Sequence, residues 1–279
     1  MKYNLSFSKI KHYCWYEFDF ASVVTKIFIK SKKKHKFKKL LINYESTPWQ
    51  NLLLGEIRKN KKTKIFGYLH CAPWPVQTDL INKNVFLDRL YVSSIDQKKN
   101  LYKNLGWKKN KIFVIPSLRF NKYNKKVFNG YIFPPYNLDS KNDYLIRLEK
   151  FFMESSNKSL NKLKVRIHPL NQSNANHLKF KYEVINLINL YKNKFSHNKK
   201  NISLFFGSAT GVCIQALEEG TEIIHFPDNN YLDVFSKKIW ENLEIKKISD
   251  KTYWYKLKKY NRTFFVNKEK NKFSKYINL

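Results

Sequence analysis

Apolar residues in this chain fall into short runs that end on turn-forming residues, separated by stretches with helical spacing. "KLLINYE" (39–45) is the first run and predicts a strand. "TPWQNLLLGEIRKN" (47–60) predicts a helix, with Thr47 as cap and Pro48 at the first helical position, where a missing N–H costs nothing. "TKIFGYLH" (63–70) and "RLYVSS" (89–94) read as two further strands, and "SIDQKKNLYKNLG" (94–106) as a helix stopped by glycine. "KIFVIPS" (111–117) is a fourth strand. Strands alternating with helices imply a parallel sheet.

"RFNKYNKKVFNG" (119–130) is polar and predicts a hinge, after which the alternation resumes. "GYIFPP" (130–135) is a strand halted by prolines. "SKNDYLIRLEKFFMESS" (140–156) is an amphipathic helix with Tyr144, Leu145, Leu148, Phe151 and Phe152 on one side. "KLKVRIHPL" (162–170) is a strand closed by His168 and Pro169, and "KFKYEVINLINLYKNKF" (179–195) a helix. "ISLFFGS" (202–208), "ATGVCIQALEEG" (209–220) and "TEIIHFP" (221–227) continue as strand, helix and strand, and the remainder reads as helical or mixed. The pattern predicts two α/β domains facing each other across a cleft, the first of them short.

The chain has 279 residues, 43% hydrophobic and 16% aromatic, so it can bury two cores and is not a disordered polymer. Its formal net charge is +33, which by itself points to nucleic acid. Two features argue against that. The basic residues are nearly all lysine, with arginine at six positions only, whereas sequence readers favour arginine's fork. The lysines are also spread along the chain, with one dense run, "KSKKKHKFKK" (30–39), that reads either as a solvated face or as a patch for anionic lipid. Three cysteines without CxxC spacing give no zinc or redox motif, and no DxD pair or histidine cluster points to a metal. The first 20 residues lack the apolar core of a secretion signal. "ASVVTKIFI" (21–29) is interrupted by Lys26 and is far short of the roughly 20 apolar residues of a membrane span. The expectation is a cytoplasmic protein, at most peripheral at the inner membrane face.

Ligands of open parallel sheets gather at the carboxyl ends of the strands. The residues there are Glu45, His70, Ser117 with Arg119, Pro134-Pro135, His168-Pro169, Gly207-Ser208 and Pro227-Asp228. In "FFGSATG" (205–211) a strand runs through small residues straight into a helix. Gly207 and Gly211 allow close backbone approach, while Ser208 and Thr210 set hydroxyls beside unpaired helix N–H groups, so the stretch from Gly207 through Ala209 to Gly211 suits a phosphate. On adjacent strands, His168 and the Ser208/Thr210 hydroxyls would converge on one anion. Glu45 fits a general base for an acceptor hydroxyl, and His70 is the rival base.

"RIHPL" followed by "FFGSATG…ALEEG…IIHFP" resembles the donor half of GT-B glycosyltransferases of bacterial surface polysaccharides such as lipopolysaccharide and capsule. Bacterial sialyltransferases and Kdo transferases, and the teichoic-acid glycerophosphotransferases, share a His-Pro motif and a downstream hydroxyl motif. "YESTPWQNLLLGEIRKN…KIFGYLHCAPW" is similar to surface-carbohydrate biosynthesis proteins. The resemblance implies a GT-B-like α/β fold of two Rossmann-like domains with parallel sheets facing a central cleft. Residues 1–125 would be an acceptor-side domain, minimal or truncated, and 126–279 a nucleotide-sugar domain with C-terminal helices. It implies a metal-independent transferase moving a sugar from a nucleotide-activated donor, CMP-sugar favoured, to a surface polysaccharide or lipid-linked acceptor. The nucleotide sugar is then a co-substrate and no separate cofactor is needed. Glu45, His70 and His168 are the implied catalytic residues. His168, Pro169, Gly207, Ser208, Ala209, Thr210, Gly211, Gln215 and Arg119 are the implied donor-binding set, with Gln215 at the ribose. The sialyltransferase acidic-acidic-Gly signature is absent. The alternatives are a polyol-phosphate transferase using CDP-glycerol, with His70 as base, and a non-enzymatic basic protein that binds nucleic acid or membrane.

Overall fold

The computed structural model describes residues 20, 22–31, 38–59, 62–69, 78–81, 86–115, 117, 130–154, 163–191, 202–206, 211–227 and 234–258. These residues fall into two compact units, one within 20–117 and one within 130–258. Each is a mixed α/β layer structure built on a largely or wholly parallel sheet. The expected boundary at 125/126 lies outside the described residues.

In the first unit, strands β1 (Lys39–Asn43), β2 (Lys64–Tyr68), β3 (Arg89–Val92) and β4 (Ile112–Val114) lie side by side in chain order, all parallel. Helix α1 (22–31), α2 (Pro48–Arg58) and α3 (Ile95–Lys103) complete the unit. Strand alternation sorts its two faces. Ile65, Leu90, Val92 and Ile112 meet Leu53, Leu54 and Ile57 of α2 and Leu101 of α3 in one apolar cluster. Phe66, Tyr68 and Tyr91 point to the other face, with Ile115. Gly67 is where β2 is packed most tightly: a Cβ there would sit 3.0 Å from the Tyr44 Cβ and 2.9 Å from a Leu87 methyl.

The second unit has a six-stranded sheet, β5 (Tyr131–Phe133), β6 (Lys164–Val165), β7 (Ile202–Phe206), β8 (Glu222–Phe226), β9 (Leu243–Ser249) and β10 (Thr252–Leu257), in the order β6-β5-β7-β8-β10-β9. β5 to β8 are parallel, and β10 and β9 continue the sheet antiparallel. Helices cover both faces. α4 (Lys141–Glu154) and α5 (Ala175–Tyr191) share a cluster with Ile132, Ile224 and Phe226, while α6 (Gly211–Glu218) packs with Ile223, Trp240 and Tyr255 on the other side. Arg147 ties α4 to the sheet: its guanidinium donates to the carbonyls of Pro227 and Lys251 at 2.8 and 3.1 Å and pairs with Asp143 at 2.7 Å.

Three expectations are corrected. The helices expected at the C-terminal side are not what residues 243–257 form; they are a β-hairpin, turning at Lys251 with φ 52°. Trp254 and Tyr255 alternate between the two clusters as strand residues do. The α5 helix starts at Ala175 rather than 179, because the Asn174 Oδ1 accepts from the N–H groups of Asn176 and His177 and opens it earlier. Residues 22–31, which sequence treats only as a short apolar stretch, form α1.

Candidate functional site

The order β6-β5-β7-β8 fixes where the second unit can hold a ligand. From β5 the chain goes to β6 on one side, then returns past β5 to β7 on the other. The connections diverge between β5 and β7, and that switch point is where open α/β sheets form a crevice at their carboxyl ends. The segment that leaves β7 there, Gly207, Ser208, Ala209 and Thr210, lies outside the described residues; Gly211 opens α6.

The condition for His168 and Ser208/Thr210 to converge on one anion, adjacency of their strands, is not met. β5 lies between β6 and β7, which sets those two strands roughly 10 Å apart at about 4.8 Å per step. The reason is topological: neighbours in sequence are not neighbours in a sheet that reverses direction.

His168 itself is well defined. Pairing of β6 with β5 extends to the Arg166 N–H, which donates to the Ile132 carbonyl at 2.9 Å. His168 then caps a short 3-10 turn over Pro169–Asn171, with Pro169 at its first position. The His168 Nδ1 accepts from the Leu170 N–H at 3.3 Å, and its carbonyl accepts from the Asn171 N–H at 2.9 Å. A neutral imidazole that accepts at Nδ1 carries its proton on Nε2. The exposed ring therefore caps the turn with one nitrogen and offers an N–H donor with the other. Tyr136, just past β5, meets the ring edge to face, with centroids 5.2 Å apart and planes at 89°. His177 on α5 holds that segment by donating Nε2–H to the Tyr136 carbonyl at 2.9 Å. Tyr136 and His177 escaped sequence reasoning, since only the sheet order brings residues 136, 168 and 177 together.

Gln215 is half-buried on α6, and its amide donates to the Glu219 carboxylate at 3.2 Å. Burial lifts the Glu219 carboxyl above the usual carboxylate range, and that hydrogen bond partly opposes the shift. Cys213 on the same helix is buried, which pushes its thiol far up and leaves it a packing residue.

In the first unit, Glu45 stands two residues beyond β1, half-buried, on the turn into α2. The turn is braced from several directions. The Gln50 Oε1 accepts from the Glu45 N–H at 2.8 Å and the Thr47 N–H at 3.3 Å, and the Gln50 amide donates to the Asn43 carbonyl at 2.8 Å. The Tyr44 hydroxyl lies 3.1 Å from the Asn51 Oδ1 and 3.2 Å from the Ser46 Oγ, and the Asn51 amide donates to the Ser46 carbonyl at 3.1 Å. Within this frame Ser46 is left-handed, φ 63°, a conformation that costs a residue with a Cβ about 1–2 kcal/mol. Thr47 occupies the expected cap position, and the Gln50 side chain reaches back to accept from its N–H.

The same device recurs at β3. Gln97, in the first turn of α3, accepts from the Ser93 N–H at 3.2 Å, while the Ser94 Oγ accepts from the Gln97 N–H at 2.9 Å. Ser93, Ser94, Asp96, Gln97 and Asn100 are all buried there, and among the described residues the Gln97 and Asn100 amide nitrogens have no hydrogen-bond partner. In sequence "SSIDQ" reads only as a helix cap; five buried polar side chains at a sheet's carboxyl edge exceed that need. His70 and Arg119 lie outside the described residues.

No protein-family model matches the sequence, and no curated protein does. Among solved structures the chain is similar to a glycosyltransferase from Rickettsia africae ESF-5, at 13% identity and a TM-score of 0.36, over 76% of this chain and 67% of that one. A likeness that slight carries no argument about chemistry.

Proposed function

We propose that the protein is a glycosyltransferase of GT-B type. It would move a sugar from a nucleotide-activated donor, a CMP-sugar first among them, to a surface-polysaccharide or lipid-linked acceptor without a bound cofactor or metal. The observation that carries the reading is the Glu45 turn, a carboxylate at the carboxyl edge of a parallel sheet on a braced, left-handed backbone. Strain of that kind persists where surroundings over-determine it, and it collects at functional sites.

In this reading the Glu45 carboxylate takes the proton of the acceptor hydroxyl, whose oxygen attacks the anomeric carbon of the donor. The bond from that carbon to the phosphate oxygen breaks, and the nucleotide leaves with the charge. The His168 Nε2–H donates to that phosphate. The Gly207–Gly211 segment would take a phosphate with its amides and the Ser208 and Thr210 hydroxyls, and Gln215 and Arg119 would serve the rest of the nucleotide. With β5 between β6 and β7, in this reading His168 and the segment that follows β7 would take different oxygens of the nucleotide rather than share one.

The test is thermal stabilisation by CMP, CDP, UDP, GDP and their sugars. A ligand at about 100 times its Kd adds about 2.7 kcal/mol. Stabilisation by CMP, with transfer from a CMP-sugar, is the expected result. Turnover of CDP-glycerol would replace it with the polyol-phosphate reading and His70 as base. A protein stabilised by none of these nucleotides is not this enzyme.

A further inference from the structure

Helix α1 (22–31) is apolar on two sides. Val24 and Phe28 pack against the cluster formed by α2 and the first sheet. Phe20, Val23 and Ile27, at i, i+3 and i+7, form a second stripe that faces water, 49%, 54% and 62% exposed. The stripe continues onto α2. The Phe20 ring meets the Trp49 ring edge-on at 5.8 Å, and Leu52, one turn further along α2, is 43% exposed. Lys26 and Lys30 stand exposed beside the stripe, and among the described residues neither is in an ion pair. In sequence α1 runs directly into the lysine-rich stretch 30–39.

A lone exposed valine needs no explanation, but a stripe of large apolar side chains across two helices does. The flanking charge identifies what covers it. A protein interface also has a polar rim, but the rim here is of one sign and runs on into the lysine-rich stretch 30–39, and a nucleic-acid backbone would meet the lysines but have no use for the stripe. A bilayer with anionic headgroups uses both, since lysine stems lie along apolar surface while their heads reach the phosphates. Among the described residues no helix is long and apolar enough to cross a membrane, so the contact is interfacial. We propose that α1 docks on an anionic lipid bilayer, with Phe20, Val23 and Ile27 entering the acyl boundary and Lys26 and Lys30 meeting headgroups. Trp49 beside Phe20 suits the same interface, where aromatic rings with a polar edge concentrate.

The test is co-sedimentation of the full chain with phosphatidylcholine vesicles, with and without phosphatidylglycerol. The expected result is binding to the anionic vesicles only, weakened by salt. A lysine near such a surface contributes about fivefold in partition, so Lys26→Gln with Lys30→Gln should lose roughly 25-fold. Val23→Glu with Ile27→Glu should abolish binding even at low salt. If that pair unfolds the chain, Val23→Ser with Ile27→Ser, checked by its melting profile, should lose more than about tenfold. Neither pair belongs to the proposed catalytic or donor-binding set, so nucleotide stabilisation should be unchanged in the folded variants. Wild-type protein that ignores anionic vesicles overturns the proposal, as does vesicle binding that survives loss of the stripe. Retention on single-stranded RNA without vesicle binding overturns it too and assigns the lysines to nucleic acid.

Discussion

The two carboxyl edges that carry Glu45 and His168 are held in opposite ways. Glu45 sits on a turn fastened by side chains from a helix: Gln50 and Asn51 of α2 reach back to backbone atoms from Asn43 to Thr47, and Ser46 stays left-handed inside them. His168 is fastened by its own ring to the residue two ahead, and the packing that reaches the ring is the exposed Tyr136. A braced, strained backbone suits a group that must not move during proton transfer, where misplacement is costly. A locally capped, exposed ring suits a group that closes on a ligand. In the proposed reading the first edge would carry the chemistry and the second the donor contact.

The sharpest way to break it is Glu45→Gln. The change keeps shape and removes the proton acceptor. Turnover should fall about 10²–10⁴-fold while nucleotide affinity, measured by calorimetry, stays where it was. Equal losses in turnover and affinity would move Glu45 into the binding set and erase the contrast.

His168 needs two variants, because its ring performs a local task as well as the proposed one. His168→Ala removes both the cap and the Nε2–H donor. The expected cost is about 2.7–4 kcal/mol in kcat/KM, as for a removed oxyanion donor. His168→Asn keeps a cap, since an asparagine oxygen also accepts from the Leu170 N–H, but has no imidazole at the edge. Activity lost in both variants assigns the ring to the donor. Activity restored by asparagine assigns it to the turn, and His-Pro would then be punctuation only.

How legible these two edges were in the sequence follows the same contrast. Most parallel strands were readable because each is a short apolar run that stops on polar or turn-forming residues, as Lys39–Asn43 and Glu222–Phe226 do. β9 was not, because an edge strand protected by charge looks like a polar helix: Lys246 and Lys247 interrupt its apolar pattern. α1 was missed because Val23, Val24, Thr25, Ile27 and Ile29 are β-branched and weaken a helical reading. Glu45 and His168 were legible as residue types at strand ends. Their surroundings were not. A left-handed Ser46 has no glycine to announce it, and the meeting of Tyr136, His168 and His177 depends on β5 lying inside β6, an order that no local pattern encodes.

Gln50→Ala tests the brace without touching the carboxylate. It leaves the N–H groups of Glu45 and Thr47 and the Asn43 carbonyl without their partner, around a side chain that is only 4% exposed. An unsatisfied buried group costs about 1–3 kcal/mol, so the melting midpoint should fall by a few degrees. Turnover should fall as well, and kcat more than KM, because the aim of Glu45 loosens while donor contacts remain. Gln50→Glu keeps the acceptor for both N–H groups but loses the donor to the Asn43 carbonyl and buries a charge, so it should recover little of the stability. If turnover is untouched in a destabilised Gln50→Ala protein, the brace is structural and Glu45 works without it.

The smallest stability effect is expected at Ser46, and it discriminates most finely. Ser46→Gly relieves a left-handed conformation worth about 1–2 kcal/mol, since glycine enters that region freely. Against that, the Tyr44 hydroxyl loses the Ser46 Oγ as a neighbour, worth about 0.5–1.5 kcal/mol, and the unfolded chain gains freedom worth about 0.4–1 kcal/mol. The terms nearly cancel, so the melting midpoint should scarcely move. Turnover need not follow it. Strain that is held in place by Asn51 and Gln50 narrows the set of positions open to the neighbouring Glu45, and a glycine widens that set without breaking any of their bonds to the backbone. The expected outcome is a protein as stable as the parent with kcat reduced several-fold and nucleotide affinity unchanged. Parental kcat in that variant would show that the left-handed turn is a by-product of packing, and the two edges would then differ in rigidity but not in purpose.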